Sequence, residues 1–388
     1  MVAASAKTPA VLLLDDGTVY HGTACGAIGT TAGEICFNTG MTGYQELFTD
    51  PSYFGQLLVT THVHIGNYGI REGQHDESQS DAIQIAGLVC RSFSGFASRS
   101  QATGTLERFF VRQNKVGIEG VDTRAVVRHI RSRGAMNAII SSETTDLAVL
   151  RRKLAEVPPM AGLELSSLVS TPQCYEQGDP ASPFRIAALD LGIKRHILDQ
   201  LVQRGCYVRV FPARTSLQEM KAWQPHGFFI SNGPGDPAAM DYAIQTVAQI
   251  LDEKLPLFGI CLGHQLLALA SGVPTFKMHH GHRGLNHPVR NTLTGRCEIT
   301  SQNHGFAVDA DELRRRNDMV VSHINLNDLS VEGMCLLHRP AFSVQYHPES
   351  APGPHDSRYL FDQFLSLLRG EPMEWARRER TVAVSAGS

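Results

Sequence analysis

The chain has 388 residues, 42% hydrophobic and 19% charged, with a formal net charge of −3. That balance fits a globular protein of two or three domains with a sizeable core, and it excludes a basic field for nucleic acid or for an acidic membrane surface. The 8 cysteines include no C-x-x-C pair, which excludes zinc ribbons and redox dithiols. With no export signal and no long apolar run, they read as reduced thiols of a cytoplasmic protein.

In chain order, Val11–Leu14, the turn Asp15-Asp16-Gly17 and Thr18–His21 predict a hairpin. Residues 24–75, rich in Gly and Thr, read as short strands and loops. A helix is expected over 122–133, capped by Asp122, with Val126, Val127 and Ile130 on one face and Gly134 at its end. A second helix over 144–157 stops at Pro158-Pro159. Residues 158–184, with five prolines, read as a linker. Beyond it the pattern alternates. Strands are expected at 186–189, 206–211, 227–230 and 257–260. Helices are expected from Ile193 to Gly205, over 239–252, and from Leu262 to Gly272. This predicts an α/β fold, a doubly wound and largely parallel sheet, following a mixed α/β N-terminal domain. The boundaries are 1–157, linker 158–184, 185–372 and a polar tail 373–388. Ligands of such sheets sit beyond the carboxyl ends of the strands, so the loops to watch are 190–194, 231–237, 260–263 and 346–350.

Three strand-end motifs carry chemistry. Gly259-Ile260-Cys261-Leu262-Gly263 joins a strand to a helix in the pattern of a nucleophile elbow with Cys for Ser. The sharp turn needs its two glycines, and the helix N-terminus favours a thiolate at Cys261. In His347-Pro348-Glu349 the proline enforces extended backbone, so the imidazole and the carboxylate two residues on can face the same way. The Gly-rich loop Ser231-Asn232-Gly233-Pro234-Gly235-Asp236-Pro237 can turn backbone N–H groups toward a developing oxyanion. Taken singly, each also fits a bland reading: a buried cysteine packed by glycines, a surface turn, a plain loop. Their joint occurrence, in order and at strand ends of one domain, is far more specific.

With His264-Gln265 added to the elbow, the set resembles the class I glutamine amidotransferases. The stretches FNTGMTGYQE (37–46), TDPSY (49–53), HIGN (64–67), LDLGIKRHIL (189–198), QNHGFAV (302–308) and APGPHD (351–356) are similar to the family of carbamoyl-phosphate synthetase small subunits, over roughly 9–370. The resemblance implies Cys261 as nucleophile, His347 as acid/base and Glu349 as its orienter. It implies oxyanion donors at Gly233 and Leu262, and glutamine contacts at Ser52, Gly233, Gly235, Leu262, Gln265, Asn303, Gly305 and Phe306. It further implies L-glutamine as substrate and, as partner, a large synthetase subunit. That partner makes carbamoyl phosphate from bicarbonate and ATP, for arginine and pyrimidine synthesis. No metal or cofactor is expected in this chain, while ATP and Mg belong to the partner. Tyr346, where some relatives have Gly, bears on crevice shape. One rival reading is another amidotransferase subunit or a stand-alone glutamyl hydrolase, and a second is a non-catalytic scaffold that only regulates a synthetase. The N-terminal domain argues against both forms of the first, the intact Cys261, His347 and Glu349 against the second. His279, His280 and His282 lack acidic or Cys companions in sequence and read as a Gly-rich structural loop, and Arg124, Arg128, Arg131 and Arg133 as a solvated helix face.

Overall fold

The chain divides into two units, Met1–Leu163 and Glu164–Ser388. A computed structural model of the protein describes residues 7–73 and 77–375, so most of the expected tail 373–388 lies outside the described residues. Among those residues no helix is long and apolar enough to cross a membrane.

The first unit contains strands β1 (Pro9–Leu14), β2 (Val19–Gly26), β3 (Thr30–Asn38), β4 (Gln56–Thr60), β5 (His64–Ile65), β6 (Gly87–Val89), β7 (Ser92–Phe93), β8 (Val116–Glu119) and β9 (Met136–Ser141). Its helices are α1 (Tyr44–Phe48), α2 (Leu106–Arg112), α3 (Thr123–Arg133) and α4 (Leu147–Ala155). The strands close into a barrel in the order β1-β2-β8-β6-β4-β3-β9, with β5 and β7 forming a separate parallel pair. The expected hairpin is β1–β2, with Leu13 opposite Val19. Gly17 takes φ +87° in the turn, a conformation glycine adopts without a Cβ penalty. β1 reads as an unbroken apolar run because both of its faces are covered. Leu12 and Leu14 pack with Ile35, Val59 and Ile140 and with Val126 and Ile130 of α3. Val11 and Leu13 pack with Leu150 and Leu154 of α4. The Asp122 carboxylate caps α3 by accepting from Ala125 N–H at 3.0 Å, and Arg124, Arg128, Arg131 and Arg133 are exposed along it.

The second unit holds α5 (Ser166–Val169), β10 (Tyr175–Gln177), β11 (Phe184–Asp190), α6 (Arg195–Val202), β12 (Cys206–Pro212), α7 (Leu217–Ala222), β13 (Gly227–Ile230), α8 (Asp241–Asp252), β14 (Leu257–Ile260), α9 (Leu262–Ala270), β15 (Thr275–Asn291), β16 (Cys297–Val308), α10 (Ala310–Arg314), β17 (Met319–Asn325), β18 (Val331–Leu336), β19 (Ala341–Val344) and α11 (Tyr359–Leu368). They build one sheet in the order β10-β12-β11-β13-β14-β19-β18-β17-β15-β16. The centre, β12-β11-β13-β14-β19, is parallel. An antiparallel wing, β18-β17-β15-β16, extends it on the β19 side. Helices cover both faces of the centre, as expected for such a sheet. Ala187, Leu189, Phe228 and Leu257 pack with Val247 and Ile250 of α8 and Leu266 of α9. Their strand neighbours Ile186, Ala188, Phe229 and Phe258 pack with Ile197 of α6 and Phe361 and Phe364 of α11. This period-2 division puts side chains of every central strand into one core or the other.

Two expectations need correction. Residues 158–184 are not a featureless linker. Glu164 bridges Gly235, Ser166 Oγ donates to Pro234 O at 3.0 Å, Thr171 N–H donates to Asp190 Oδ2 at 2.7 Å, and β10 adds an edge strand to β12. Prolines bar helix but not an extended edge. His279, His280 and His282 lie on β15, not in a loop. Pairing with β16 is interrupted there between Lys277 and His282 and again between Gly284 and His287, which hides the strand's alternation.

Candidate active site

The loops singled out at strand ends follow β11, β13, β14 and β19, neighbours in the parallel centre of the second unit. Cys261 stands between β14 and α9 with φ +55° and ψ −102°, a strained backbone for a non-glycine residue. Its two glycines are required by contact. A Cβ on Gly259 would meet Gly263 O at 2.7 Å, and one on Gly263 would meet Ile230 O at 2.3 Å. The elbow is pinned from behind: Cys261 N–H donates to Val344 O at 2.9 Å, and Gly263 N–H to Ser231 O at 3.1 Å. The Cys261 thiol points at Asn303 O, 3.6 Å away.

His347 follows β19 and is fastened to β16 by its N–H, which donates to Ser301 O at 2.9 Å. Its Nδ1 lies 2.8 Å from Glu349 Oε1. The same Oε1 accepts from Lys194 Nζ at 2.8 Å, and this ion pair is buried, with side chains 4% and 0% exposed. The His347 Nε2 is buried without a hydrogen-bond partner, and the nearby Cys261 side chain acts on the imidazole to raise its pKa. Burial is the largest influence and lowers the imidazole pKa, and Lys194 lowers it further, but the Glu349 carboxylate and the Cys261 side chain together outweigh both. His347 is thereby raised to about 10. Burial works against the Glu349 charge as well, yet Lys194 and then His347 hold it well below the usual carboxylate range. The result is a buried line, Lys194–Glu349–His347, that ends on Cys261.

Lys194 is the residue that sequence reasoning missed, although it stands in a loop already marked. It occupies the N-cap of α6, where the helix dipole disfavours a cation. A lysine in that position signals a specific anion partner.

The Ser231–Pro237 loop lies against the start of α9. A Cβ on Gly233 would strike Leu191 O at 2.0 Å and the Leu262 side chain at 2.9 Å, and Gly235 takes φ +98°. Asn232 anchors the loop, donating to Gly192 O and accepting from Lys194 N–H. Gln265 is buried, its amide donating to Phe306 O at 2.9 Å and to Gln345 Oε1 at 3.1 Å. Asn303, Gly305 and Phe306 lie together on β16, with Lys277 Nζ over the Phe306 ring at 4.8 Å. Cys261, His347, Glu349, Gly233, Gly235, Leu262, Gln265, Asn303, Gly305 and Phe306 therefore all belong to the second unit. Ser52 belongs to the first, in the turn Pro51–Tyr53, with its N–H donating to Asp50 Oδ1 at 2.9 Å. Tyr346 is fully buried and meets the His323 ring edge-on at 5.7 Å.

The family described as "Glutamine amidotransferase class-I" matches residues 187–367, and "Carbamoyl-phosphate synthase small chain, CPSase domain" matches 12–140. The chain is similar to a carbamoyl phosphate synthase small chain of Chlorobaculum tepidum, 47% identical over 93% of this chain and 98% of that one. It is similar to one of Thermus thermophilus, 48% identical over 97% and 99%. A solved structure of a glutamine amidotransferase from Thermotoga maritima covers 51% of this chain and 92% of its own at 16% identity and a TM-score of 0.35. Two matched regions in the order barrel, then amidotransferase, and near-identical length at almost half identity establish that the chain belongs to the carbamoyl-phosphate synthase small chain family.

Proposed function

We propose that this protein is the glutamine-hydrolysing subunit of a carbamoyl-phosphate synthase, with Cys261, His347 and Glu349 as its catalytic residues. The observation that carries this reading is the buried Lys194–Glu349–His347 line ending on a cysteine at a strained elbow. The cysteine sulfur attacks the side-chain amide carbon of glutamine, and the carbonyl electrons move onto oxygen. The N–H groups of Gly233 and Leu262 receive that oxyanion, each such donor contributing about 2.7–4 kcal/mol in comparable sites. His347, held protonated by Glu349, gives its proton to nitrogen as the C–N bond breaks and ammonia leaves. His347 then takes a proton from water, which cleaves the γ-glutamyl thioester to glutamate. Lys194 keeps Glu349 ionised and in place. Gly235, Gln265, Asn303, Gly305 and Phe306 are assigned to glutamine binding.

The ammonia passes to a large synthetase subunit, which combines it with bicarbonate using ATP and Mg and supplies arginine and pyrimidine synthesis in the cytoplasm. The first unit is assigned to docking that partner, since it carries no nucleophile or phosphate-loop signature of its own. The test is glutamine hydrolysis by the purified chain, with the glutamyl thioester trapped by acid quench and located by peptide mass. Hydrolysis with a label on Cys261 supports the reading. Hydrolysis that persists in Cys261→Ser refutes it.

A further inference from the structure

One buried cluster on the antiparallel wing is left without a role by the glutamine chemistry. His282 on β15, His304 on β16 and Glu332 on β18 each offer a ligand atom, all within 4.8 Å of one another. The acidic companions that His282 lacks in sequence arrive from β18 and from the turn before it, as Glu332 and Asp328.

The hydrogen bonds around this cluster fix which atoms face inward. His282 Nε2 lies 2.9 Å from Asp328 Oδ2, which leaves Nδ1 between Glu332 Oε1 and Asn325 Nδ2, each 3.4 Å away. His304 Nδ1 lies 2.8 Å from Phe306 O. A carbonyl can only accept, so that nitrogen carries the proton and Nε2 presents a lone pair. Gln302 Oε1 stands 3.0 Å from this Nε2. Its orientation is set in turn: Thr300 Oγ1 donates to His287 O and therefore accepts from Gln302 Nε2. Two acceptors thus face each other, beside a Glu332 whose Oε2 is buried with no partner. Convergent acceptors in a buried place call for a cation.

We propose that His282 Nδ1, His304 Nε2 and Glu332, with Gln302 Oε1 beside them, form a zinc-binding site. Two imidazoles and a carboxylate are borderline-soft donors suited to Zn²⁺. With metal–ligand bonds of about 2.0–2.2 Å, adjacent ligands of a tetrahedral ion stand about 3.3 Å apart. His282 Nδ1 and Glu332 Oε1 already stand at 3.4 Å. The outer supports match those of metal sites, where a ligating histidine donates its other N–H to a carboxylate or a backbone carbonyl. Here His282 donates to the Asp328 carboxylate, His304 donates to Phe306 O, and Asn325 Nδ2 donates to Glu332 Oε1 at 2.8 Å. Zinc here would tie β15, β16 and β18 together behind residues 303–306. The site stands on these contacts and does not depend on the amidotransferase reading.

The test uses the full chain carrying Cys261→Ser, which removes the active-site thiol as a competing ligand. It is titrated with Zn²⁺ and with Co²⁺, with metal content measured after dialysis. One zinc per chain, visible d–d bands for Co²⁺ without a thiolate band, and a Tm that rises with Zn²⁺ and falls with chelator are expected. Glu332→Gln should abolish stoichiometric binding. Asp328→Asn, at a side chain 43% exposed and so benign for folding, should weaken it 10–100-fold. No bound metal, or equal binding by both variants, would overturn the proposal and leave His282 as a cation clasped by two carboxylates.

Discussion

Cys261 has the backbone of a residue held in place by its neighbours, and its substitution tests chemistry rather than folding. Cys261→Ser should lower glutamine-dependent turnover by roughly 10⁴–10⁶, while synthesis from free ammonia by the reconstituted complex survives. The Glu349–His347 pair predicts the pH behaviour. His347 is held above its unfolded value near 6.5, so its contribution to stability is complete below about pH 6.5 and is lost as pH rises through about 10. Glu349 is held below its ordinary value, so its contribution is present above about pH 4.5 and is lost on acidification toward its lower folded value. The urea midpoint of Glu349→Gln should therefore fall short of the parent most near pH 7, less as pH rises through about 10, where the His347 part is lost, and less again as pH falls below about 4.5. The alkaline limb of kcat/KM should move to lower pH in the same variant, since the carboxylate that lifts the imidazole is gone. Lys194→Met strips the cation from a buried carboxylate and should cost about 3–5 kcal/mol. Combining it with Glu349→Gln should restore part of that loss, as a double-mutant cycle by urea unfolding would show.

At the scale of elements, the elbow is the joint on which the site turns. Gly263→Ala places a methyl 2.3 Å from Ile230 O, a backbone atom that cannot swing aside. A loss of more than about 2 kcal/mol is expected, with glutaminase activity falling even where the protein stays soluble. Unfolding of the purified variant measures the first, turnover the second. The elbow was legible because a four-residue apolar run, two glycines and an amphipathic stretch follow one another without ambiguity. The runs 227–230 and 257–260 match β13 and β14 residue for residue. By contrast, β15 and β16 were not. KMHHGHRGLNHP shows no period-2 apolar pattern, because the strand buries a histidine and an arginine and its pairing shifts twice. Strandhood there is decided by partners distant in sequence. Closure of the barrel hid for the same reason: it depends on β3 finding β9. Lys194 was hidden by a subtler cause, since its anion lies on another strand end.

Across the whole molecule, the boundary after Leu163 makes a prediction about fragments. A fragment of 164–375 keeps the Glu164, Ser166 and Thr171 contacts and the β10 edge, whereas one of 186–375 loses them all. The longer fragment should unfold at a higher urea concentration, with equal midpoints as the refuting result. Those contacts hold Pro234 and Gly235, so the shorter fragment should also hydrolyse glutamine more slowly. The order of the sheet has a further consequence, for the timing of synthesis. β14 and β19 are hydrogen-bonded neighbours, yet all of β15, β16, β17 and β18 are made between them. The ribosome delivers Cys261, the proposed nucleophile, early, and His347, its proposed acid, arrives only after the entire wing has emerged. A parallel pairing over so long a stretch of chain forms late, because the loop must close before the contact forms. On the proposed assignment, a nascent or truncated chain carries Cys261 without His347, and glutamine is spared until the wing has been made and β19 has paired with β14.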